Sequence, residues 1–383
     1  MSDYAAKIPA KRSPYYHELA QAIEFQGGHF NAHLHLDRAG TYHDTLRLLA
    51  RSTVQDATSL TLAEKHALIP LIHESGQYDP PSLGARVSFY LDEMVNAGTR
   101  RADTVVDTTT DCVRLSALEV FAELKERYRG KLDLRFGAYS PLGFRDDEPE
   151  RWALLEKGAH FADFVGLLPE RDDTEMYPDH IGFRESCLRA VTLSRSLGKD
   201  IHIHVDQANH DGENGTETLL DVLDEIGGAA PSGDPDIWLI HVISPSTYDD
   251  GRFNEMRARM VERNVGVITC PSAAISMRQY RGLQSPTYNS IARVLELIEA
   301  GVHVRMGSDN VCDVTSPTGT PDLMDEVFML SNALRFYDTA ILAKIAAGGR
   351  LDTAERARVT DHLENDRAIS ARIEVGVRTK RAR

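Results

Sequence analysis

The sequence predicts an α/β fold, a (β/α)8 barrel of the TIM type, and three observations carry that prediction. Short apolar, β-branched runs alternate with longer stretches of helical spacing, and the alternation repeats eight times. No Gly/Ser-rich or Pro-rich linker divides the chain, so one barrel describes it more economically than two doubly wound domains. Four of the apolar runs carry His or Asp at their C-terminal ends, where a β/α barrel builds its active site.

In chain order, the first strand lies in FNAHLHLDR, from Phe30 to Arg38. Ala85 to Ala97 reads as a helix ending at Gly98, and Thr104 to Asp107 as strand 2. A helix over Leu115 to Arg127 precedes strand 3, Leu132 to Tyr139. A short helix, Arg151 to Lys157, leads to strand 4 in ADFVGLL, Ala162 to Leu168. Gly182 to Leu197 is helical before strand 5, Ile201 to Val205, and Thr216 to Ile226 before strand 6, Ile237 to Val242. Thr247 to Arg263 leads into strand 7, Val265 to Cys270, and Ser290 to Ala300 into strand 8, Val302 to Met306. A last helical stretch, Leu323 to Ala347, is broken near Tyr337. The organisation expected is an N-terminal leader over 1–27, a barrel over 28–349 and a charged tail over 350–383, solvated and ending in the basic RTKRAR.

The chemistry is concentrated at the strand ends. In an extended strand successive side chains alternate faces, so His33 and His35 share one face while Ala32, Leu34 and Leu36 are expected on the other, against the helices. Two imidazoles at i and i+2 are half of a metal site. DIHIHVDQ repeats the device with His202, His204 and Asp206 on one face, WLIH ends in His241, and GSD ends in Asp309. His202 lies one layer deeper than His204 and is expected to be a hydrogen-bonded interior residue.

Composition narrows the partners. The 383 residues are 42% hydrophobic and 26% charged, enough for a large core, and the formal net charge is −15. That balance argues against nucleic acid or an anionic membrane and for a small-molecule substrate, with self-association left open. No apolar run has the length of a membrane span, and none near the N-terminus that of a signal peptide, so a cytoplasmic location is expected. Cys112, Cys187, Cys270 and Cys312 are widely spaced and form no C-x-x-C pair, which argues against a disulfide scaffold or a thiolate zinc site and for buried free thiols. The H-x-E and P-C-x-x-C pattern of the zinc nucleobase deaminases is absent.

FNAHLHLDRAGT, ADFVGLLPE, HIHVDQ, the run SPTYNSIARVLELIEAGVHVRMGSDNV and PTGTPDLMDEV after it resemble the amidohydrolase superfamily, in particular its cytosine deaminase and adenosine deaminase-like branch. The likeness extends from about Gly28 to about Leu334. It implies one divalent metal held by His33, His35, His204 and Asp309, with His241 as a nearby proton shuttle. Three neutral imidazoles and a carboxylate suit zinc first, with Fe(II) or Mn(II) as alternatives. Asp309 can also take a proton from water, and His241 can relay one to the leaving group. No lysine follows strand 4, where Pro169 and Glu170 stand instead, so a mononuclear site is expected.

Two departures qualify the resemblance. Where the deaminases are expected to have a glutamate three residues after the strand 5 histidine, this chain has Gln207, which can hydrogen-bond a heterocycle but cannot hand it a proton. Asp206 or Glu213 are the candidates to stand in, and Glu170 and Arg278, with Tyr280, are candidates to bind substrate. The small β-sandwich that many members carry is not expected here. The leading function is metal-assisted hydrolysis of a C–N bond in a small nitrogen heterocycle, cyclic amide or amidine, by deamination or ring opening. Hydrolysis of another leaving group, halide or alkoxide, competes with it, and a non-catalytic metal-binding barrel is the third reading.

Overall fold

In the computed structural model, residues 13–48, 53, 55, 60–228, 230–277 and 291–381 are described. Eight parallel strands pair in sequence order, β1 (His29–Leu34), β2 (Thr99–Asp107), β3 (Asp133–Tyr139), β4 (Phe164–Leu167), β5 (Ile201–Val205), β6 (Ile237–His241), β7 (Gly266–Thr269) and β8 (Val304–Met306). β8 returns to β1 through a bridge between Leu34 and Asp309, which closes the (β/α)8 barrel. Two backbone bonds make that closure, Asp309 N–H to His33 O at 3.0 Å and His35 N–H to Asp309 O at 3.2 Å. A side chain at residue 307 would place Cβ 2.7 Å from His33 O, so the seam needs the glycine found there. Beside it Asn31 and Ser308 exchange two hydrogen bonds, Asn31 Nδ2 to Ser308 Oγ at 2.8 Å and Ser308 N–H to Asn31 Oδ1 at 3.0 Å.

The helices run outside. α1 (Pro14–Phe25), α2 (Pro80–Asn96), α3 (Ser116–Tyr128), α4 (Pro149–Phe161), α5 (Phe183–Leu197), α6 (Gly215–Ile226), α7 (Asp250–Arg263), α8 (Val294–Ala300), α9 (Leu323–Leu334), α10 (Thr339–Ala346) and α11 (Thr353–Arg381) are the principal ones. α2 and α4 begin earlier than the apolar spacing indicates, because Pro80 and Pro149 occupy first-turn positions that need no N–H. The predicted break near Tyr337 falls between α9, ended by Arg335 at φ 52°, and α10, capped by Asp338 on the N–H groups of Ala340 and Ile341. No helix among the described residues is long and apolar enough to cross a membrane.

Both ends of the chain are more involved than the sequence indicates. α1, expected within a leader, buries Tyr16, Leu19, Ala20 and Ile23 and packs on α10. α11 is not wholly a solvated tail: Val359 is fully buried, and His362 meets the Phe336 ring edge-on at 5.0 Å, while residues from Glu364 to Val375 are exposed.

Alternation along β1 also differs from expectation. A β-bulge lies between Asn31 and Leu34. Leu34 and Leu36 join the core beneath the helices, but Ala32 packs with Phe30, Trp238, Ile240 and Ile268 inside the barrel. The inserted residue re-aims His33 without disturbing the layer below it.

Candidate metal centre

His33 Nε2 and His35 Nε2 converge with His204 Nε2 at 3.0 and 3.3 Å, and Asp309 Oδ1 lies 3.5 Å from His33 Nε2 and 3.3 Å from His35 Nε2. One ligand atom from each of the four lies within 4.8 Å of the other three, and all four residues are buried. The edge of a tetrahedron with metal–nitrogen bonds of 2.0–2.1 Å is about 3.3 Å, so these separations admit a zinc-sized ion. His204 Nδ1 lies 3.0 Å from Leu167 O, which fixes the proton on Nδ1 and leaves Nε2 a bare lone pair aimed at the other two imidazoles. Three imidazole nitrogens and one carboxylate oxygen at these separations are a donor set that fits a divalent metal, given that ligation leaves each Nε2 unprotonated.

His35 has a constraint of its own. Arg38 Nη2 donates to its Nδ1 at 2.5 Å, whereas a ligating Nε2 requires the proton on Nδ1. When His35 ligates through Nε2 its Nδ1 carries the proton, and the guanidinium contact gives way.

Electrostatics suit the arrangement. Burial raises the Asp309 pKa, but hydrogen bonds from His33 and His35 and the neighbouring imidazoles outweigh it and hold the carboxyl well below its ordinary range. Burial alone lowers His204 well below an ordinary histidine, and the adjacent imidazoles add to that. His241, whose charge the sequence leaves open, is pushed down to about 4 by burial and is neutral at pH 7, its Nδ1 buried with no hydrogen-bond partner among the described residues. Left-handed backbone recurs at the strand ends, with φ of 58° at Asp206, 78° at His241, 51° at Val242 and 59° at Asp309. For a β-branched residue such as Val242 this is strain.

His35, His204, His241 and Asp309 open into a cavity of about 490 Å³ at the C-terminal mouth, whose walls include Arg38, Tyr139 and Gln207. Its roof comes from the long β1 to α2 crossover, which holds short helical segments at Tyr42–Leu48, Leu62–His66 and Ile69–Ile72. Thr61 and Glu64 cap the middle one reciprocally, and Leu60, Lys65 and His66 face the cavity.

The other predicted site residues fall out unevenly. Gln207 lines the cavity, but Glu170, expected at the substrate, is absent from its lining and stands behind Gln207, accepting from the Gln207 amide at 2.7 Å. Asp206 cannot stand in for a proton donor: it caps α6, accepting from Gly215 N–H, Thr216 N–H and Thr216 Oγ1 at 2.7, 3.0 and 2.5 Å. Glu213 accepts from Ala208 N–H at 2.8 Å and from the Ser244 hydroxyl. His202 stacks on Phe164 at 4.2 Å, and its two ring nitrogens find no hydrogen-bond partner among the described residues, contrary to expectation. Arg278 and Tyr280 lie outside the described residues.

Sequence reasoning missed a buried network behind Arg38. Asp37 accepts from Asp107 N–H at 2.7 Å and from Tyr78 OH at 3.1 Å, Tyr78 OH also reaches Asp107 at 2.9 Å, and Arg38 Nε is 3.6 Å from Asp107. His73 bridges Asp107 at 3.1 Å and Asp111 at 2.6 Å. The one signal was the Asp37-Arg38 pair directly after the two histidines; nothing local marks His73.

The chain folds as a (β/α)8 barrel with a buried His/His/His/Asp group at its mouth, and comparison with known proteins finds the same fold. The chain resembles the crystal structure of 5-methylcytosine deaminase from Klebsiella pneumoniae with a TM-score of 0.68 at 19% identity, covering 87% of this chain and 75% of that one. It resembles N-isopropylammelide isopropylaminohydrolase from Burkholderia multivorans with a TM-score of 0.61 at 19% identity, covering 88% and 82%. Among curated sequences it is 26% identical to an uncharacterized protein of Haemophilus influenzae over 273 residues, 71% of this chain and 91% of that protein. It is 23% identical to a pterin deaminase of Rhizobium rhizogenes over 235 residues, 60% of this chain and about half, 49%, of the deaminase. No family model matches the chain.

Proposed function

We propose that this protein is a metal-dependent hydrolase of the amidohydrolase superfamily that cleaves a C–N bond of a small nitrogen heterocycle, cyclic amide or amidine. The observation that carries the proposal is the convergence of three imidazole nitrogens and one carboxylate oxygen within 4.8 Å at the barrel mouth, beside a neutral His241. His33, His35, His204 and Asp309 would hold the ion, zinc being the best match to three nitrogens and one oxygen. What the ion supplies when bound is Lewis acidity.

The chain's own residues do the rest. Asp309, held ionised, accepts a proton from the attacking water, and His241 carries a proton to the departing nitrogen. The low pKa of His241 makes it a ready donor once protonated, because burial disfavours its charged form. Tyr139, Arg38 and the roof over the cavity orient the ring and exclude water. The names of the pterin deaminase, the 5-methylcytosine deaminase and the isopropylaminohydrolase support the same reaction class, water displacing an amine from a heterocycle. Gln207 in place of a glutamate keeps a second reading in view, displacement of halide or alkoxide, which demands less of that wall.

The test is to load the purified protein with zinc, count bound metal, and follow amine release from a panel of aminated and cyclic amide heterocycles. One equivalent of metal and amine release abolished by chelation are expected. Full loading without turnover across the panel would leave only a metal-binding barrel.

A further inference from the structure

We infer that Gln207 is the specificity-determining residue of this site, and that it reads a ring N–H. The substrate ring then presents a protonated nitrogen beside the reacting carbon, as a lactam, a cyclic ureide or the N–H form of a cyclic amidine does. A cytosine-type ring, whose nitrogen there is bare, is the poorer match. The inference rests on the hydrolase reading for its reacting carbon, but its central contact is one of recognition.

Gln207 already has part of its hydrogen-bonding capacity committed. Its Nε2 donates to Glu170 Oε2 at 2.7 Å, and its backbone N–H is also turned to that carboxyl. Glu170 is not among the residues that line the cavity, and its Oε1 is buried with no hydrogen-bond partner among the described residues. Burial first, then the nearby Glu213 and Asp206, raise the Glu170 pKa well above the carboxylate range. A neutral acid still accepts through its carbonyl oxygen, so the anchor does not depend on its charge. One of the two N–H bonds on Nε2 is taken by Glu170, and the carbonyl oxygen, which meets no hydrogen-bond donor among the described residues, is the acceptor Gln207 keeps for the cavity it lines. An oxygen there accepts; it cannot protonate a bare nitrogen.

Among the described residues, no other group beside Gln207 is placed to supply the missing proton. Asp206 is consumed by the α6 N-terminus and Glu213 by Ala208 and Ser244. Of the neighbouring liners, Leu168 and Ile243 are apolar, His204 belongs to the candidate metal group, and His241 is assigned to the departing nitrogen. A bare ring nitrogen set against Gln207 Oε1 would pair two acceptors, the mismatch that excludes a wrong substrate most strongly.

Binding tests this without turnover. Zinc-loaded protein is titrated with uracil, 1-methyluracil and 3-methyluracil in a calorimeter. Uracil is expected to bind at least about tenfold more tightly than 3-methyluracil, which lacks the N–H between its two carbonyls, with 1-methyluracil close to uracil. Gln207→Leu should level uracil and 3-methyluracil while metal content stays whole. Glu170→Leu, which frees the amide to turn, should level them too, and Glu170→Gln, which keeps an acceptor behind the amide, should restore the preference. Equal binding of the two by the unmodified protein, a preference unchanged in Gln207→Leu, or no binding of any of the three at millimolar concentration overturns the inference. Kinetics then separate it from the hydrolase reading. Isocytosine and cytosine are isomers that lose ammonia to give the same product, and isocytosine can offer the N–H. The unmodified protein should favour isocytosine at least about tenfold in kcat/KM, and Gln207→Glu should shift the ratio toward cytosine. A preference for cytosine sinks the inference and sustains the hydrolase. Discrimination in binding with no ammonia released from either isomer sustains the inference and counts against the hydrolase.

Discussion

Replacing His73 by Gln isolates the buried charge network behind Arg38. His73 is almost fully buried, with Asp107 on one ring nitrogen at 3.1 Å and Asp111 on the other at 2.6 Å. Burial lowers its pKa, but the two carboxylates outweigh burial and raise it from 6.5 to about 9. A histidine whose folded pKa is raised contributes stability that is complete below the unfolded value and is lost as pH rises through the folded value. The window is therefore alkaline, from 6.5 to about 9. At about 1.4 kcal/mol per pKa unit, the contribution is about 3 kcal/mol. Burial of Glu213 and Glu326 raises each to about 7, and these groups also lower stability as pH rises, but equally in both proteins. Urea unfolding of the unmodified protein and of His73→Gln at pH 6 and pH 9.5 reads the difference. At pH 6 the variant should be less stable by about 3 kcal/mol, since Asp107 and Asp111 lose their buried counter-charge. By pH 9.5 most of that gap should have closed. Parallel stability curves for the two proteins would refute the assignment of a charged His73.

His33→Ala, His204→Ala and Asp309→Ala should each lose the metal with the activity, whereas His241→Ala should keep the metal and lose turnover by about 10²-fold or more, the usual worth of a positioned proton carrier; metal analysis of the four proteins decides between ligand and shuttle. Gly307→Ala puts a carbon 2.7 Å from His33 O, so it should cost about 1–3 kcal/mol and weaken metal binding, read by thermal unfolding and metal titration. Lys65→Ala with His66→Ala thins the cavity roof, so KM should rise several-fold with metal content unchanged, measured by steady-state kinetics on whichever heterocycle the panel identifies.

The barrel and its ligands could be read from sequence because their signals are local. Alternation within FNAHLHL and DIHIHV is set by strand geometry, and the placing of His204, His241 and Asp309 at strand ends follows from the barrel's own polarity. The eight strands are where β-branched runs place them, and the four candidate ligands lie together at the barrel mouth.

What tertiary structure alone decided is everything that depends on separations of many residues. The bulge that turns Ala32 inward and His33 to the mouth answers to the pairing of β1 with β2, invisible in β1 itself. Glu170 reaches Gln207 from the loop after β4, while Glu213, in the same loop as Gln207, turns to Ala208, so sequence could list both but not say which one touches the amide. His73 carries no local mark, since its charge exists only because folding brings Asp107 and Asp111 to its two nitrogens. The docking of α1 and of the first turns of α11 likewise rests on surfaces far away in the chain. Local sequence fixes which face a side chain takes, and so it announced the metal ligands; the neighbours that tune and select around them are a property of the closed barrel.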